Sequence, residues 1–283
     1  MTTRRKFLQI SAAALPALAL WNRNAFAGER IPIGLQLYTV RDLAEHDLSA
    51  VLKQIHEIGY REVEAYGGSY TRPPHELRSM IQDAGLHAPS GHFDFDGISA
   101  KFDYAKELGL DWMVCPMIPQ PHWSLEGFQA AAKQFNEWGR RAKSMGMRFA
   151  FHNHDYEFRD FGGKTGYDVL ISETDPDLVF FEMDCYWIAQ SGRDPVQMME
   201  RLGHRARMIH LKDRKAGFPA STDMGPSSSH FEPVGEGNLQ WKAVLAAAQR
   251  LQVEHYFVEQ DNTYGHPIES IRSSYQYLSP LLP

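Results

Sequence analysis

Three observations predict an α/β chain folded as a single (β/α)8 barrel. Eight short β-branched or aromatic runs alternate with amphipathic stretches. Glycine punctuates the junctions about every 30 residues, and no Pro/Ser-rich linker divides the chain. The length of 283 residues suits one such barrel. A hydrophobic fraction of 43% excludes intrinsic disorder, and two cysteines exclude a disulfide scaffold. A net charge of −6 argues against a nucleic-acid backbone as partner. Thirteen histidines beside many carboxylates are the compositional surprise.

The chain begins with a different kind of segment. Thr3-Arg4-Arg5-Lys6-Phe7-Leu8 precedes an uncharged run from Ile10 to Leu20 and then Ala25-Phe26-Ala27. A basic start, a short apolar run and a small-x-small site describe a cleaved signal peptide, and the paired arginines resemble the twin-arginine export signal. Residues 1–27 are therefore expected to be removed and 28–283 to form a periplasmic barrel with no membrane segment. Cys115 and Cys185 end different strands and are expected to stay free.

In chain order, Ile33–Leu37 reads as the first strand. Val51, Leu52, Ile55 and Ile58 then share one face of a helix over Leu48–Ile58. Strand Glu62–Ala65, helix Leu77–Ala84, strand Ala88–His92, helix Phe102–Leu108 and strand Trp112–Cys115 follow. Helix Leu125–Met145 leads to strand Arg148–His152. Strands Val179–Asp184 and Met208–Leu211, helix Trp241–Leu251 and strand Tyr256–Glu259 complete the set. Gly59-Tyr60, Gly85-Leu86, Gly109-Leu110 and Gly146-Met147 stand between a helix and the next strand, where a left-handed cap is needed. Gly217–Gly237 is a long irregular insertion, either a lid or a contact between subunits of a homo-oligomer.

Active sites of such barrels lie at the C-terminal ends of the strands. Six of the eight ends carry a carboxylate or imidazole: Glu64, His92, His152 with His154, Glu182 with Asp184, His210 with Lys212 and Asp213, and Glu259. Alternation puts Phe180, Glu182 and Asp184 on one face, His210 and Lys212 on one face, and Phe257 with Glu259. Like charges crowded into one mouth repel, and a divalent cation relieves them. Carboxylates with imidazoles suit Mn, Zn or Co, with Mg a further candidate. Gly162-Gly163-Lys164-Thr165 lacks the upstream glycine of a phosphate loop. Gly235-Glu236-Gly237-Asn238 is either an anion-binding turn or a helix start.

Gly59-Tyr60-Arg61-Glu62-Val63-Glu64, His152-Asn153-His154-Asp155-Tyr156-Glu157-Phe158, Glu182-Met183-Asp184-Cys185-Tyr186-Trp187, His210-Leu211-Lys212-Asp213 and Gly235-Glu236-Gly237 resemble the sugar phosphate isomerase/epimerase superfamily of xylose isomerase-like TIM barrels. The resemblance implies one divalent metal ion held by residues of strands five to eight. Asp184, His210 and Glu259 match three of its ligands. The strand-five glutamate is replaced by His152, so Glu157 is expected as the fourth ligand, with His152 as rival. A histidine three residues after the metal aspartate is replaced by Trp187, which either stacks on a sugar ring or packs in the core.

The implied chemistry is proton abstraction beside a carbonyl of a small-molecule sugar, keto-sugar or glycoside, leading to isomerisation, epimerisation or elimination. His152 or His154 moves the proton, Lys212 neutralises oxyanion charge, and Glu64 and His92 fix hydroxyls. A periplasmic keto-glycoside hydrolase or lyase and a non-catalytic sugar-binding protein are the alternatives. A metal-dependent endonuclease is opposed by the acidic charge and the export signal.

Overall fold

The computed structural model describes residues 31–225 and 229–282, so the signal-peptide reading of residues 1–27 lies outside the described residues. Eight parallel strands close a barrel. They are β1 (Ile33–Gln36), β2 (Glu62–Ala65), β3 (His87–His92), β4 (Trp112–Cys115), β5 (Arg148–His152), β6 (Val179–Asp184), β7 (Ala206–Leu211) and β10 (His255–Val258), with β10 pairing back to β1. Between the last two, β8 (Asp213–Arg214) and β9 (Phe231–Glu232) form a short antiparallel ribbon. The second ribbon strand lies within the irregular insertion, and the first just precedes it.

Helices follow the strands: α1 (Arg41–Ile58), α2 (Pro74–Asp83), α3 (Phe102–Leu108), α4 (Leu125–Ser144), α5 (Gly166–Glu173), α6 (Cys185–Gln190), α7 (Pro195–Leu202), α8 (Trp241–Arg250) and α9 (Pro267–Leu278). Where the sequence shows Gly-Lys-Thr, Thr165 starts α5 with a reciprocal capping box to Asp168. The four junction glycines all take positive φ. Gly109 (φ +91°) donates its N–H to Ala105 O at 3.1 Å and closes α3 as a left-handed cap.

Alternation along each strand divides the core in two. Leu35, Val63, Met113, Phe149, Phe181, Met183, Ile209 and Val258 face the helices, packing with Leu52, Ile55, Phe135 and Trp138. Trp112, Val114, Ala150, Met208 and Phe257, with Phe180 against them, fill the barrel interior as a separate cluster. This apolar plug forms a floor, and above it the interior becomes polar toward the C-terminal ends. Gly34 makes room for the plug, because a Cβ there would sit 2.3 Å from the Phe257 ring. Cys115 and Cys185 are free and buried.

Candidate functional site

The inward positions just above the plug carry Gln36, Glu64, Ser90, His92, Glu182 and His210, all buried. Register explains their meeting: Gln36 pairs with Glu64, Glu64 with Ser90, and Asp184 with His210 in adjacent strands. Glu64 is saturated by donors. Its Oε1 accepts from Ser90 at 2.6 Å, its Oε2 accepts from Gln36 at 2.8 Å, and the same oxygen lies 2.8 Å from His210 Nε2 and 3.1 Å from His92 Nε2. Glu182 Oε2 lies 2.6 Å from His92 Nε2. Burial opposes charge on His92, yet Glu64 and Glu182 push it up to about 10. Both Glu64 and His92, expected to fix substrate hydroxyls, are thus engaged with protein groups in this layer.

One step nearer the mouth, His152, Asp184, His210 and Glu259 each offer a ligand atom, and these four atoms lie within 4.8 Å of one another. His210 Nδ1 is 2.8 Å from Glu259 Oε2 and 3.8 Å from Asp184 Oδ2, and His152 Nε2 is 3.4 Å from Asp184 Oδ2. His152 Nε2 and Asp184 Oδ2 are buried and make no well-formed hydrogen bond, facing each other at 3.4 Å with Lys212 Nζ also 3.4 Å from Asp184 Oδ2. Orphaned buried polar atoms are rare, and two converging on carboxylate and imidazole neighbours fit a divalent cation. The other Asp184 oxygen accepts the Trp187 N–H at 2.9 Å, capping α6 and locking the carboxylate.

The structure brings His152, and not Glu157, into this cluster. After His152 the chain leaves the strand and enters a 3-10 turn over Tyr156–Phe158. That turn takes Glu157 into the wall, where both carboxylate oxygens accept the His154 N–H at 3.1 Å. Burial pushes Glu157 up to about 8, against the lowering effect of those N–H bonds. It belongs to neither group of metal-capable side chains among the described residues.

Lys212 borders the cluster. Its Nζ is 2.8 Å from Glu259 Oε2, 3.4 Å from Asp184 Oδ2 and 2.6 Å from Asp261 Oδ1. Burial opposes its charge, but Asp184, Asp261 and Glu259 hold its pKa well above that of an ordinary lysine. Asp261, two residues beyond Glu259 in the following loop, was not singled out by the sequence. His154 is half-buried, its ring 5.0 Å from His152 and 5.1 Å from Trp187. Burial, then His152 and Lys212, push its pKa well below the usual histidine range, so it stays neutral. Trp187 is 3% exposed, packed on Tyr186 and Phe231, so its stacking face is largely covered. Its indole Nε1 and His154 Nδ1 are buried without hydrogen-bond partners.

The Gly235-Glu236-Gly237 turn does hold an anion, and the anion belongs to the chain. Asp213 Oδ2 accepts from Gly235 N (2.9 Å), Gly237 N (3.2 Å) and Trp241 Nε1 (2.7 Å). Its Oδ1 accepts from Arg214 N (2.8 Å) and Leu239 N (3.2 Å). This clasp ties the start of the ribbon to α8, immediately after Lys212.

Comparison with known proteins agrees with this architecture. The profile of a family described as xylose isomerase-like TIM barrel matches residues 52–281. An inosose dehydratase of Salmonella typhimurium is 23% identical over 289 residues, covering 89% of this chain and 94% of its own. An inosose dehydratase of Clostridium botulinum is 24% identical over 169 residues, covering 56% of this chain and 55% of its own, so the match spans about half its length. Among solved structures, a sugar phosphate isomerase/epimerase from Parabacteroides distasonis superposes with a TM-score of 0.75 at 24% identity, covering 91% of this chain and 97% of its own. IOLI protein, solved with a bound zinc atom, gives 0.68 at 14% identity, covering 88% and 97%. Likeness at these identities establishes the fold.

Proposed function

Since the chain belongs to the xylose isomerase-like TIM barrel family, we propose that it is a divalent-metal-dependent enzyme that removes a proton beside the carbonyl of a carbohydrate. One observation carries this reading. Four ligand atoms from β5, β6, β7 and the end of β10 converge at the C-terminal mouth, two of them buried without a well-formed hydrogen bond. His152, Asp184, His210 and Glu259 would hold the ion, which when bound supplies Lewis-acid polarisation of a carbonyl and an adjacent hydroxyl.

The chain's own groups do the rest. His154 Nδ1, unpartnered at the mouth, takes the proton and returns it. Lys212 places a permanent positive charge beside the cluster, where an oxyanion develops. The free Trp187 N–H donates to a substrate oxygen. Removal of the proton leads to isomerisation, epimerisation or loss of a β-substituent. Loss of water is the route named by the curated dehydratases.

The test uses the mature protein loaded with Mn2+ or Zn2+ and incubated with keto-sugars and keto-glycosides in D2O. Deuterium is expected at the carbon beside the carbonyl, and both exchange and metal content are expected to fall in Asp184→Ala. A metal-free wild type, or unchanged sugar binding without exchange, would reduce the protein to a sugar-binding module. Export to the periplasm through the twin-arginine segment of residues 1–27 is part of the same proposal, resting on the sequence motif.

A further inference from the structure

Two groups of metal-capable side chains overlap inside this barrel, and they share His210. The outer group is His152, Asp184, His210 and Glu259, and the inner group is Glu64, His92, Glu182 and His210. A neutral imidazole carries one lone pair and one N–H, so a neutral His210 can be a ligand in only one of them. The ring orientation separates the two. Nδ1 faces the outer group, 2.8 Å from Glu259 Oε2. Nε2 faces the inner one, 2.8 Å from Glu64 Oε2 and 3.3 Å from Glu182 Oε2.

The groups also differ in satisfaction. In the outer group, His152 Nε2 and Asp184 Oδ2 make no well-formed hydrogen bond and meet each other at 3.4 Å. In the inner group, Glu64 takes Ser90, Gln36, His210 and His92, and His92 Nε2 meets Glu182 at 2.6 Å. Only Glu182 Oε1 is left over.

We infer that Glu64 is a positioning residue. It accepts the Nε2–H of His210, fixes the tautomer that turns the Nδ1 lone pair outward, and makes the inner group a hydrogen-bonded layer and not a second ion site. The chain then binds one ion. The inference rests on the metal-dependent reading above, but it concerns a residue that touches neither ion nor substrate. A carboxylate behind a ligating imidazole raises its basicity and orients its ring, and losing one typically lowers affinity 10–100-fold.

The experiment is calorimetric titration of Zn2+ into metal-free mature protein, wild type and Glu64→Gln. Wild type is expected to bind one ion. The variant is expected to bind one ion about 10–100-fold more weakly. Ser90→Ala frees Glu64 Oε1 from its 2.6 Å bond. It provides a milder variant in case Glu64→Gln does not fold, and its expected affinity lies between the two. In the Zn2+-loaded protein, the 1H shift of the His210 Nε2–H should move between wild type and Glu64→Gln, a change that a Glu64 acting through packing alone would not produce. Two ions per wild-type chain, an Nε2–H shift unmoved by Glu64→Gln, or equal affinity in all folded variants overturns the inference while leaving the outer metal site standing; a proton on Nδ1 would remove His210 from the outer site as well. A wild type that binds no Zn2+ overturns the functional reading and this inference together.

Discussion

Glu157→Gln separates the two candidates for the strand-five ligand and tests the structure through stability as well. Glu157 is fully buried, its oxygens facing the His154 N–H at 3.1 Å, and it ionises near 8 in the fold against 4.5 for an unperturbed glutamate. A raised pKa means that the folded chain holds this proton more tightly than the unfolded chain. The associated stability is complete below about pH 4.5 and is lost as the pH rises toward 8. Each pH unit in that window removes about 1.4 kcal/mol. Integrated with these two values, the loss is about 1 kcal/mol at pH 5 and about 3 kcal/mol at pH 7.

Glutamine keeps the shape and cannot ionise. The stability of Glu157→Gln relative to wild type should therefore shift in its favour by about 2 kcal/mol between pH 5 and pH 7. Urea denaturation of the metal-free proteins at both pH values measures this, and the difference between variants cancels every other titrating group. Zn2+ affinity should be unchanged. Parallel stability profiles, or a loss of affinity beyond tenfold, would refute the placement of Glu157 in the wall.

Three further outcomes are expected. His152→Ala removes one of the four outer ligand atoms, so its Zn2+ affinity should fall by more than the ~100-fold that marks the upper range for a supporting residue; a loss under tenfold in a calorimetric titration would return the role to another side chain. Asp213→Asn can keep its oxygen toward Gly235, Gly237 and Trp241, which leaves the Arg214 and Leu239 N–H groups facing an amide NH2. Two orphaned donors predict a loss of about 2–4 kcal/mol by urea denaturation, and a change below about 0.5 kcal/mol would show that the clasp carries nothing. Replacing Arg4 and Arg5 together by lysine should retain a reporter fused behind residues 1–30 in the cytoplasm, and undiminished export would exclude the twin-arginine route.

The barrel was legible because its signals are local. Alternation puts His210 and Lys212 on one face and Glu182 with Asp184 on one face, and the structure places all four inside. What escaped depends on distance along the chain or on a change of backbone. Glu64 meets His210 across 146 positions, and no periodicity reports that Ser90 and Gln36 have already claimed its oxygens. Glu157 sits only five residues past His152, but the intervening 3-10 turn ends strand parity and sends it outward. Trp187 could be placed on a helix start, yet whether its ring faced sugar or protein depended on Phe231, which arrives from the ribbon. The histidine surplus also divides. His92, His152, His154 and His210 gather at the mouth, and His255 pairs with Glu62 below the plug at 2.9 Å.

The Asp213 clasp bears on how such a mouth can be remodelled. The chain leaves the barrel wall at Asp213 and is gathered back at Gly235, Gly237, Leu239 and Trp241 by that same carboxylate, so both ends of the excursion are pinned next to Lys212. Doubling the length of a flexible excursion adds only about 0.6 kcal/mol of closure entropy. A change of length between Lys215 and His230 is therefore closed at little cost, because the flanking residues are held together by Asp213. One carboxylate thus fixes where this excursion begins and where it ends, beside the metal-capable cluster and independently of its length.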